Sequence, residues 1–275
     1  ESVTLRFLYL NCGLTIPGSI FLLFFDGRRR YGRGWCRVRG VNAGTASGVR
    51  TKGRTMRRGR IRGLTDCCLH VTARCHDRGY LLKFERDRRA YVSRLRAASG
   101  KFDVDVLDCM ITSNHVHLLL WSESPHSISA GMQYLQGATA RAYNRRKCRS
   151  GAYWSDRFHP TLVQTGAHFS RCLFYIGLNM VRARAVSHPS QWRACGYHEL
   201  TGARHRYRVL NLDRLLWCLG TPADLTGFRR WYAGTLDGMT GQYLVREPLW
   251  TECAAVGSQE WVERQAARIA VGHKS

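Results

Sequence analysis

The chain has 275 residues, 44% of them hydrophobic, which is enough for one sizeable packed domain or two small ones. Its 43 basic residues against 19 acidic ones give a formal net charge of +24, so nucleic acid is the expected class of partner. The eleven Cys form no Cys-x-x-Cys pair, which argues against a zinc finger, and their odd number argues against a disulfide framework. A reducing cytoplasm is therefore expected.

Residues 1–55 differ in composition from the rest of the chain. A largely uncharged stretch at residues 7–25 precedes an Arg- and Gly-rich run that ends at residue 54. Pro17 and Gly18 interrupt the uncharged stretch, so no membrane-spanning helix is predicted. Met56 is followed by a basic segment and is the more natural beginning. We interpret residues 1–55 as an upstream extension that is not part of the fold.

From residue 67 the hydrophobic pattern predicts strands at residues 67–74, 104–111, 115–121 and 158–164, and helices at 85–98, 127–146 and 167–184. This order predicts a ferredoxin-like α+β domain at residues 56–200, with one antiparallel sheet and helices over one face. Residues 201–275 are predicted to form a helical C-terminal extension, with helices at 211–219, 224–236 and 258–272. We interpret the Trp residues of this extension as packing residues.

The strand at residues 115–121 carries a pair of histidines separated by one valine. Because side chains alternate along a strand, His115 and His117 project from one face, and Val116 and Leu118 project from the other. Two neutral imidazoles on one strand face can bind a divalent metal. The alternative is two polar residues on the solvated face of a half-buried strand, because a His-x-His pattern is short and common.

The helix predicted at residues 167–184 could complete such a metal site. Tyr175 and Asn179 lie one turn apart on the same helical stripe, beside an apolar stripe. The amide oxygen of Asn179 is a suitable further ligand for a metal held by two histidines. A lone Tyr on a helix face is usually a packing residue, and it is its spacing from Asn179 that favours a functional role.

Four short runs resemble a known family. HVTAR at residues 70–74, NHVHLL at 114–119, RF at 157–158 and YIGLNMVRA at 175–183 occur in the order and spacing of the single-tyrosine HUH transposases. Within that family the chain resembles the REP-associated tyrosine transposases of the insertion-sequence-200-like group. The likeness covers residues 56–200, and the segment 257–262 resembles the C-terminal extension of many such proteins.

The resemblance implies an HUH nuclease fold and a DNA-transposition activity. It makes His115, His117 and Asn179 ligands of Mg²⁺ or Mn²⁺, and Tyr175 the nucleophile that forms a 5′-phosphotyrosine. The expected partner is single-stranded DNA with a hairpin, bound by a monomer or homodimer in the bacterial cytoplasm, at the nucleoid. Three positions depart from the family pattern, which usually has Pro at Ser113, Pro at Met180 and Gly at Arg184.

Several basic residues near the predicted site are candidates for binding DNA phosphates. Those that we predict are Arg74, Arg145, Arg146, Lys147 and Arg157. Arg157 is the strongest candidate because it belongs to one of the matching runs. A solvated basic helix face is the alternative interpretation for the others.

Two other functions remain open from the sequence. A domesticated protein that binds hairpin DNA or RNA without cutting would account for the departures at Met180 and Arg184. An HUH replication initiator or relaxase is disfavoured, because only one suitable Tyr lies near Asn179 and no helicase motif follows.

Overall fold

The computed structural model describes residues 47–50, 64–220, 224–241 and 244–271. The strands in this part of the chain are β1 (Ser47–Arg50), β2 (Cys67–Arg74), β3 (Asp105–Ile111), β4 (His115–Ser122), β5 (His159–Val163) and β6 (Cys253–Gly257). The α-helices are α1 (Glu85–Phe102), α2 (Pro125–Arg146), α3 (Ala167–Gly177), α4 (Asn179–Arg182), α5 (Tyr197–Leu200), α6 (Leu212–Leu219), α7 (Leu225–Thr240), α8 (Leu249–Glu252) and α9 (Gln259–Val271). Short 3₁₀ helices occur at His76–Arg78 and Pro189–Gln191.

The strands form one sheet in the order β1-β6-β5-β2-β4-β3. Neighbouring strands are antiparallel except for β5 and β6, which are parallel. The predicted hairpin of β3 and β4 is confirmed, and its turn is closed by a hydrogen bond from the Thr112 amide to the His115 carbonyl at 2.9 Å. The β-α-β-β-α-β order and the α+β class predicted from the sequence are therefore confirmed.

Both faces of the sheet are covered by helices. On one face α1 and α2 pack on residues such as Leu69 and Leu118 and form one hydrophobic core. On the other face α3, α6 and α7 pack on residues such as Leu119 and form a second core. The predicted arrangement, with helices over one face, therefore holds only for α1 and α2. The central strands are apolar on both sides, as is usual for a sheet that is buried between two layers.

The predicted domain boundaries need correction at both ends. The segment 201–275 is not purely helical, because Cys253–Gly257 forms β6 and extends the sheet beside β5. Residues 47–50, assigned by prediction to the upstream extension, form β1 and pair with β6. Both strands have five residues or fewer and pair with distant partners, so the local pattern is too short to reveal them. The remaining residues of the predicted extension, including the uncharged stretch at 7–25, lie outside the described residues.

The helix predicted at residues 167–184 is divided in two. Leu178 separates α3 from α4, with φ −87° and ψ 5°, although the hydrogen bond from Arg182 N to Leu178 O continues the helical path. Gly177 ends α3 where the Tyr232 side chain of α7 approaches, and a Cβ here would lie 2.8 Å from the Tyr232 hydroxyl. Arg184, where the family pattern usually has Gly, adopts a left-handed conformation with φ +55°. The backbone at position 184 therefore has a conformation that Gly adopts readily, although the residue here is Arg.

In the described part of the chain, none of the helices is both long and apolar enough to cross a lipid bilayer.

Candidate active site

Three histidines lie on the face of the sheet that packs against α3. His117 on β4 is paired in register with Thr72 on β2, and His115 is paired with Arg74. Since alternate residues share a face, His70 on β2 lies on the same side as His115 and His117. The rings of His115 and His117 are 5.1 Å apart between centroids and nearly perpendicular, at 77°. The sequence prediction that the two imidazoles share one face is consistent with this geometry.

The His117 side chain is buried, and hydrogen bonds engage both of its ring nitrogens. Nδ1 lies 2.9 Å from Nε2 of His70, and Nε2 lies 3.0 Å from the Asn179 side-chain amide. The planes of the two rings are nearly parallel, with a centroid distance of 5.1 Å and an interplanar angle of 6°. Nε2 of His117 therefore faces the helical layer that carries Asn179 and Tyr175.

The turn before β4 fixes the orientation of the His115 ring. The Asn114 side chain donates from Nδ2 to the Arg78 carbonyl at 3.1 Å, so its Oδ1 is the atom that faces Nδ1 of His115, at 2.7 Å. An amide oxygen only accepts, so Nδ1 of His115 carries the hydrogen. The neutral ring then has its lone pair on Nε2, which is the form that can bind a metal.

The protein interior keeps these histidines neutral. Burial lowers the pKa of His115 to about 4, with Arg74 and Arg182 adding to the shift. Burial also lowers the pKa of His117 well below its usual range, helped by the neighbouring His70 and His115 rings. Neutral imidazoles offer a lone pair to a cation near neutral pH, so the shifts favour metal binding rather than oppose it.

Helices α3 and α4 bring Tyr175 and Asn179 to this face of the sheet. The Tyr175 ring lies 6.0 Å from the His117 ring and 6.2 Å from the His70 ring, in edge contact with both. Asn179, one turn further on, reaches His117 directly. All four predicted site residues, His115, His117, Tyr175 and Asn179, are therefore close together in the structure.

The Tyr175 side chain is only 5% exposed and is enclosed by two further side chains. The Arg182 guanidinium lies 4.0 Å from the centre of the Tyr175 ring and donates to the Tyr175 carbonyl at 3.3 Å. The Trp250 ring, from α8, lies 5.9 Å from the Tyr175 ring. Burial raises the pKa of Tyr175, and the positive charges of Arg182 and Arg246 oppose that rise.

The donor set fits a divalent cation held by few protein ligands. In the described residues, His, Cys, Asp and Glu form no group of three or more that could hold a metal ion, so any site here relies on two imidazoles and the Asn179 amide. Two nitrogen donors and one oxygen donor suit a first-row divalent metal whose other positions are taken by water or substrate.

The predicted DNA-binding residues fall into two groups. Arg74 is exposed opposite His115, and the segment before β5 runs alongside it, with Ser155 N donating to the Arg74 carbonyl at 2.9 Å. Arg157, in that segment, is also exposed. Arg145, Arg146 and Lys147 lie apart from them, exposed at the C-terminal end of α2. Arg146 forms an ion pair with the buried carboxylate of Asp87.

Sequence reasoning gave no individual role to two residues that contact the site. In the sequence His70 is only a member of the matching run at residues 70–74, although strand alternation places it on the same face as Thr72 and Arg74. Trp250 was interpreted as a packing residue, which its complete burial supports, but its carbonyl also bonds to Nδ1 of His70 at 2.8 Å. No local signal predicts this contact, because 180 residues separate the two partners.

The comparison with family models agrees with the resemblance described above. Residues 64–177 match the model of the family described as "Transposase IS200 like". A comparison with curated proteins found no relative. The chain is similar to the structure of a REP-associated tyrosine transposase bound to a REP hairpin, with 16% identity over 53% of this chain and 85% of that chain, and a TM-score of 0.45. It is also similar to a candidate transposase from Deinococcus radiodurans R1, with 18% identity over 45% of this chain and 91% of that chain, and a TM-score of 0.32.

Proposed function

We propose that this protein is a metal-dependent transposase that cleaves and rejoins single-stranded DNA beside a hairpin. The match of residues 64–177 to the IS200-like transposase model supports this class of activity. The observation that carries the proposal is the convergence of Tyr175, Asn179 and two neutral histidines on one face of the sheet. These four side chains come from one strand and one helix that the sequence predicted separately. Their proximity in the folded protein supports the proposal that they belong to one active site.

The proposed metal ligands are Nε2 of His115, Nε2 of His117 and Oδ1 of Asn179. In the structure the Asn179 amide directs Nδ2 toward His117, and rotation of that amide presents its oxygen instead. When bound, Mg²⁺ or Mn²⁺ polarises a phosphoryl oxygen and neutralises the charge that develops during attack. The two imidazole ligands favour Mn²⁺ over Mg²⁺.

The proposed nucleophile is the phenol oxygen of Tyr175. Its attack on a phosphodiester forms the Tyr175 Oη–P bond and breaks the P–O3′ bond. The phenol loses its proton and the departing 3′ oxygen gains one, so the products are a 5′-phosphotyrosine and a free 3′-OH. Attack by the 3′-OH of another strand reverses the step. Strand transfer therefore needs no nucleotide cofactor, because the bond energy is kept in the ester.

Arg182 is positioned to assist this nucleophile. Its charge lies over the Tyr175 ring and stabilises the phenolate relative to the phenol, which opposes the effect of burial on the Tyr175 pKa. The Arg182 guanidinium stays charged at neutral pH even though burial lowers its pKa. It is also close enough to the site to meet a phosphate.

The DNA backbone is proposed to approach along the end of the sheet where Arg74 and Arg157 lie. Both side chains are exposed and belong to adjacent segments at the strand end that carries His115. The group at the end of α2 is proposed as a second phosphate contact, with Arg146 contributing least because Asp87 already neutralises it. The proposed DNA substrate implies that the protein acts at the nucleoid in a bacterial cytoplasm. It is proposed to act as a monomer or a homodimer.

Removing the Arg157 side chain is expected to weaken hairpin binding more than removing that of Arg146. Within the described part of the chain, no ion pair engages Arg157, whereas Arg146 is paired with Asp87. We expect Arg157→Ala to raise the Kd about three- to tenfold at low salt and to reduce the salt slope by about one unit or slightly less. Fluorescence anisotropy with a labelled hairpin, over a series of salt concentrations, measures both. Equal losses for Arg157→Ala and Arg146→Ala would contradict this assignment.

A protein that binds hairpins without cutting is the second candidate function. The observation in its favour is the enclosure of Tyr175, which is 5% exposed beneath Arg182 and Trp250. Met180 and Arg184, which follow Asn179 in the sequence, depart from the family pattern, and these departures also favour a protein that does not cleave DNA. Such a protein would retain the fold and the basic surface but would not cleave DNA.

One experiment separates the two candidates. The full chain is incubated with a labelled single-stranded DNA hairpin and Mn²⁺, and covalent protein–DNA adducts are resolved on a denaturing gel. The transposase proposal expects an adduct that Tyr175→Phe reduces at least about 100-fold, while Tyr197→Phe leaves it unchanged. Tight hairpin binding without an adduct, in Mn²⁺ and in Mg²⁺, would instead leave the binding protein as the function.

A further inference from the structure

His70 lies directly behind His117 and has both ring nitrogens engaged. Its side chain is completely buried. Nδ1 lies 2.8 Å from the Trp250 carbonyl, and Nε2 lies 2.9 Å from Nδ1 of His117. The partners of His70 are a backbone carbonyl and the His117 ring, whereas Nε2 of His117 faces the Asn179 amide, which can rotate. His70 is therefore not a candidate ligand itself.

Hydrogen bonds connect the Trp250 carbonyl to His70 and His70 to His117. The Trp250 carbonyl determines which atom is the donor in each of these bonds. A carbonyl oxygen only accepts, so Nδ1 of His70 carries a hydrogen. A fully buried ring with no carboxylate partner in the described residues is neutral and holds one proton, so Nε2 of His70 has a lone pair. That lone pair accepts from Nδ1 of His117. The neutral His117 ring is then left with its own lone pair on Nε2, the atom next to Asn179.

The Trp250 carbonyl is itself held in place by the surrounding structure. The Trp250 side chain is fully buried in the second core. Thr161 on β5 donates its hydroxyl to the Cys253 carbonyl at 2.8 Å and lies 3.3 Å from the Trp250 carbonyl. The parallel pairing of β6 with β5 follows immediately after Cys253. The C-terminal segment is therefore fixed against the same sheet that carries the histidines.

We propose that His70 is a positioning residue that holds His117 in the tautomer with its lone pair on Nε2, and that the Trp250 carbonyl anchors this arrangement. The inference rests on the proposed function in that it takes His117 to be a metal ligand. Trp250 lies in the C-terminal segment, outside the residues 64–177 that match the family model. According to this proposal, the C-terminal segment helps to prepare the metal site. Partners of this kind, one bond removed from a metal, typically change metal affinity 10- to 100-fold when lost.

The first test reads the tautomers in the full-length, metal-free protein. After ¹⁵N labelling of the histidines, long-range ¹H–¹⁵N spectra of the imidazoles distinguish a protonated from an unprotonated ring nitrogen. We expect His70 and His117 each to carry hydrogen on Nδ1 and a lone pair on Nε2. A His117 ring with hydrogen on Nε2 would overturn the inference. Because no metal is present, this result stands even if the proposed activity fails.

The second test compares two substitutions of His70 by Mn²⁺ titration calorimetry. His70→Leu removes the acceptor for His117 and is expected to weaken Mn²⁺ binding 10- to 100-fold. His70→Gln keeps an acceptor oxygen near the Nε2 position and is expected to restore most of the affinity and the His117 tautomer. His168→Leu, a half-buried histidine on α3 outside this chain of bonds, is the control and should bind as the unmodified protein does.

The outcomes of these tests distinguish the two proposals. Unchanged Mn²⁺ affinity in a folded His70→Leu protein would refute the positioning role. If the unmodified protein binds no Mn²⁺ at all, the metal-dependent function fails, and the tautomer spectra alone then decide the inference. If His70→Leu does not fold, His70→Gln and the spectra of the unmodified protein remain decisive.

Discussion

Replacing His117 by Ala is expected to lower metal-dependent cleavage of a hairpin substrate at least about 100-fold. The substitution removes one of the two proposed imidazole ligands and leaves Nε2 of His70 without its partner. It also frees the Asn179 amide, which now bonds to His117. Cleavage rates measured over a range of Mn²⁺ concentrations, under single-turnover conditions, test this expectation.

The control for this substitution is His126→Ala. His126 is exposed at the start of α2, so its loss should leave both the rate and the Mn²⁺ dependence unchanged. Hairpin binding without metal should be similar in all three proteins, because the basic surface is untouched. A His117→Ala protein that cleaves within about threefold of the unmodified rate at saturating Mn²⁺ would remove His117 from the proposed metal site.

The metal-free protein is expected to lose stability steeply as the pH falls below about 6.5. Burial lowers the pKa of His70 to about 3 and that of His115 to about 4, and lowers that of His117 well below its usual range. Between the unfolded and folded pKa values only the unfolded chain takes up protons, so acid favours unfolding. Each histidine contributes up to about 1.4 kcal/mol per pH unit in this window.

Urea unfolding in EDTA at pH 7 and pH 5 measures this effect. We expect the free energy of unfolding to fall by at least about 2 kcal/mol between the two values. His70→Gln removes one of the buried titrating rings and should reduce the fall. A flat profile between pH 7 and pH 5 would show that these rings take up protons in the folded state as readily as in the unfolded chain, which is incompatible with the proposed role of His115 and His117 as neutral ligands.

Much of the architecture could be predicted from local sequence pattern. The apolar periodicity placed β2 at residues 67–74, and α9 within a residue of its observed ends. The run of apolar residues in β4 with two histidines on alternate positions predicted a shared face, and the structure agrees. These features depend on the 2.0- and 3.6-residue repeats of strand and helix, which a sequence displays directly.

Other features depend on contacts between distant residues and could not be predicted. β6 has only five residues and is a strand because it pairs with β5 and β1. Leu178 divides the helix predicted at residues 167–184 without the Pro that the family pattern usually has. The layer of helices on the second face follows from where α6 and α7 pack. None of these has a local signal, because tertiary packing decides each of them.

The site shows the same division between local and distant information. Spacing alone placed Tyr175 and Asn179 on one stripe, and the motif order joined them to His115 and His117. The bond from His70 to the Trp250 carbonyl spans 180 residues, and only the folded chain reveals it. The proposed positioning residues are thus less visible in the sequence than the proposed ligands themselves.

The most direct test of the proposed function is to identify the residue that becomes attached to DNA. The covalent adduct formed with a hairpin substrate and Mn²⁺ is digested with trypsin and nuclease, and the modified peptide is sequenced by mass spectrometry. The proposed function predicts a nucleotide on Tyr175, within the tryptic peptide of residues 172–182. A nucleotide on any other residue, or no covalent DNA under conditions where the hairpin is bound, would contradict it.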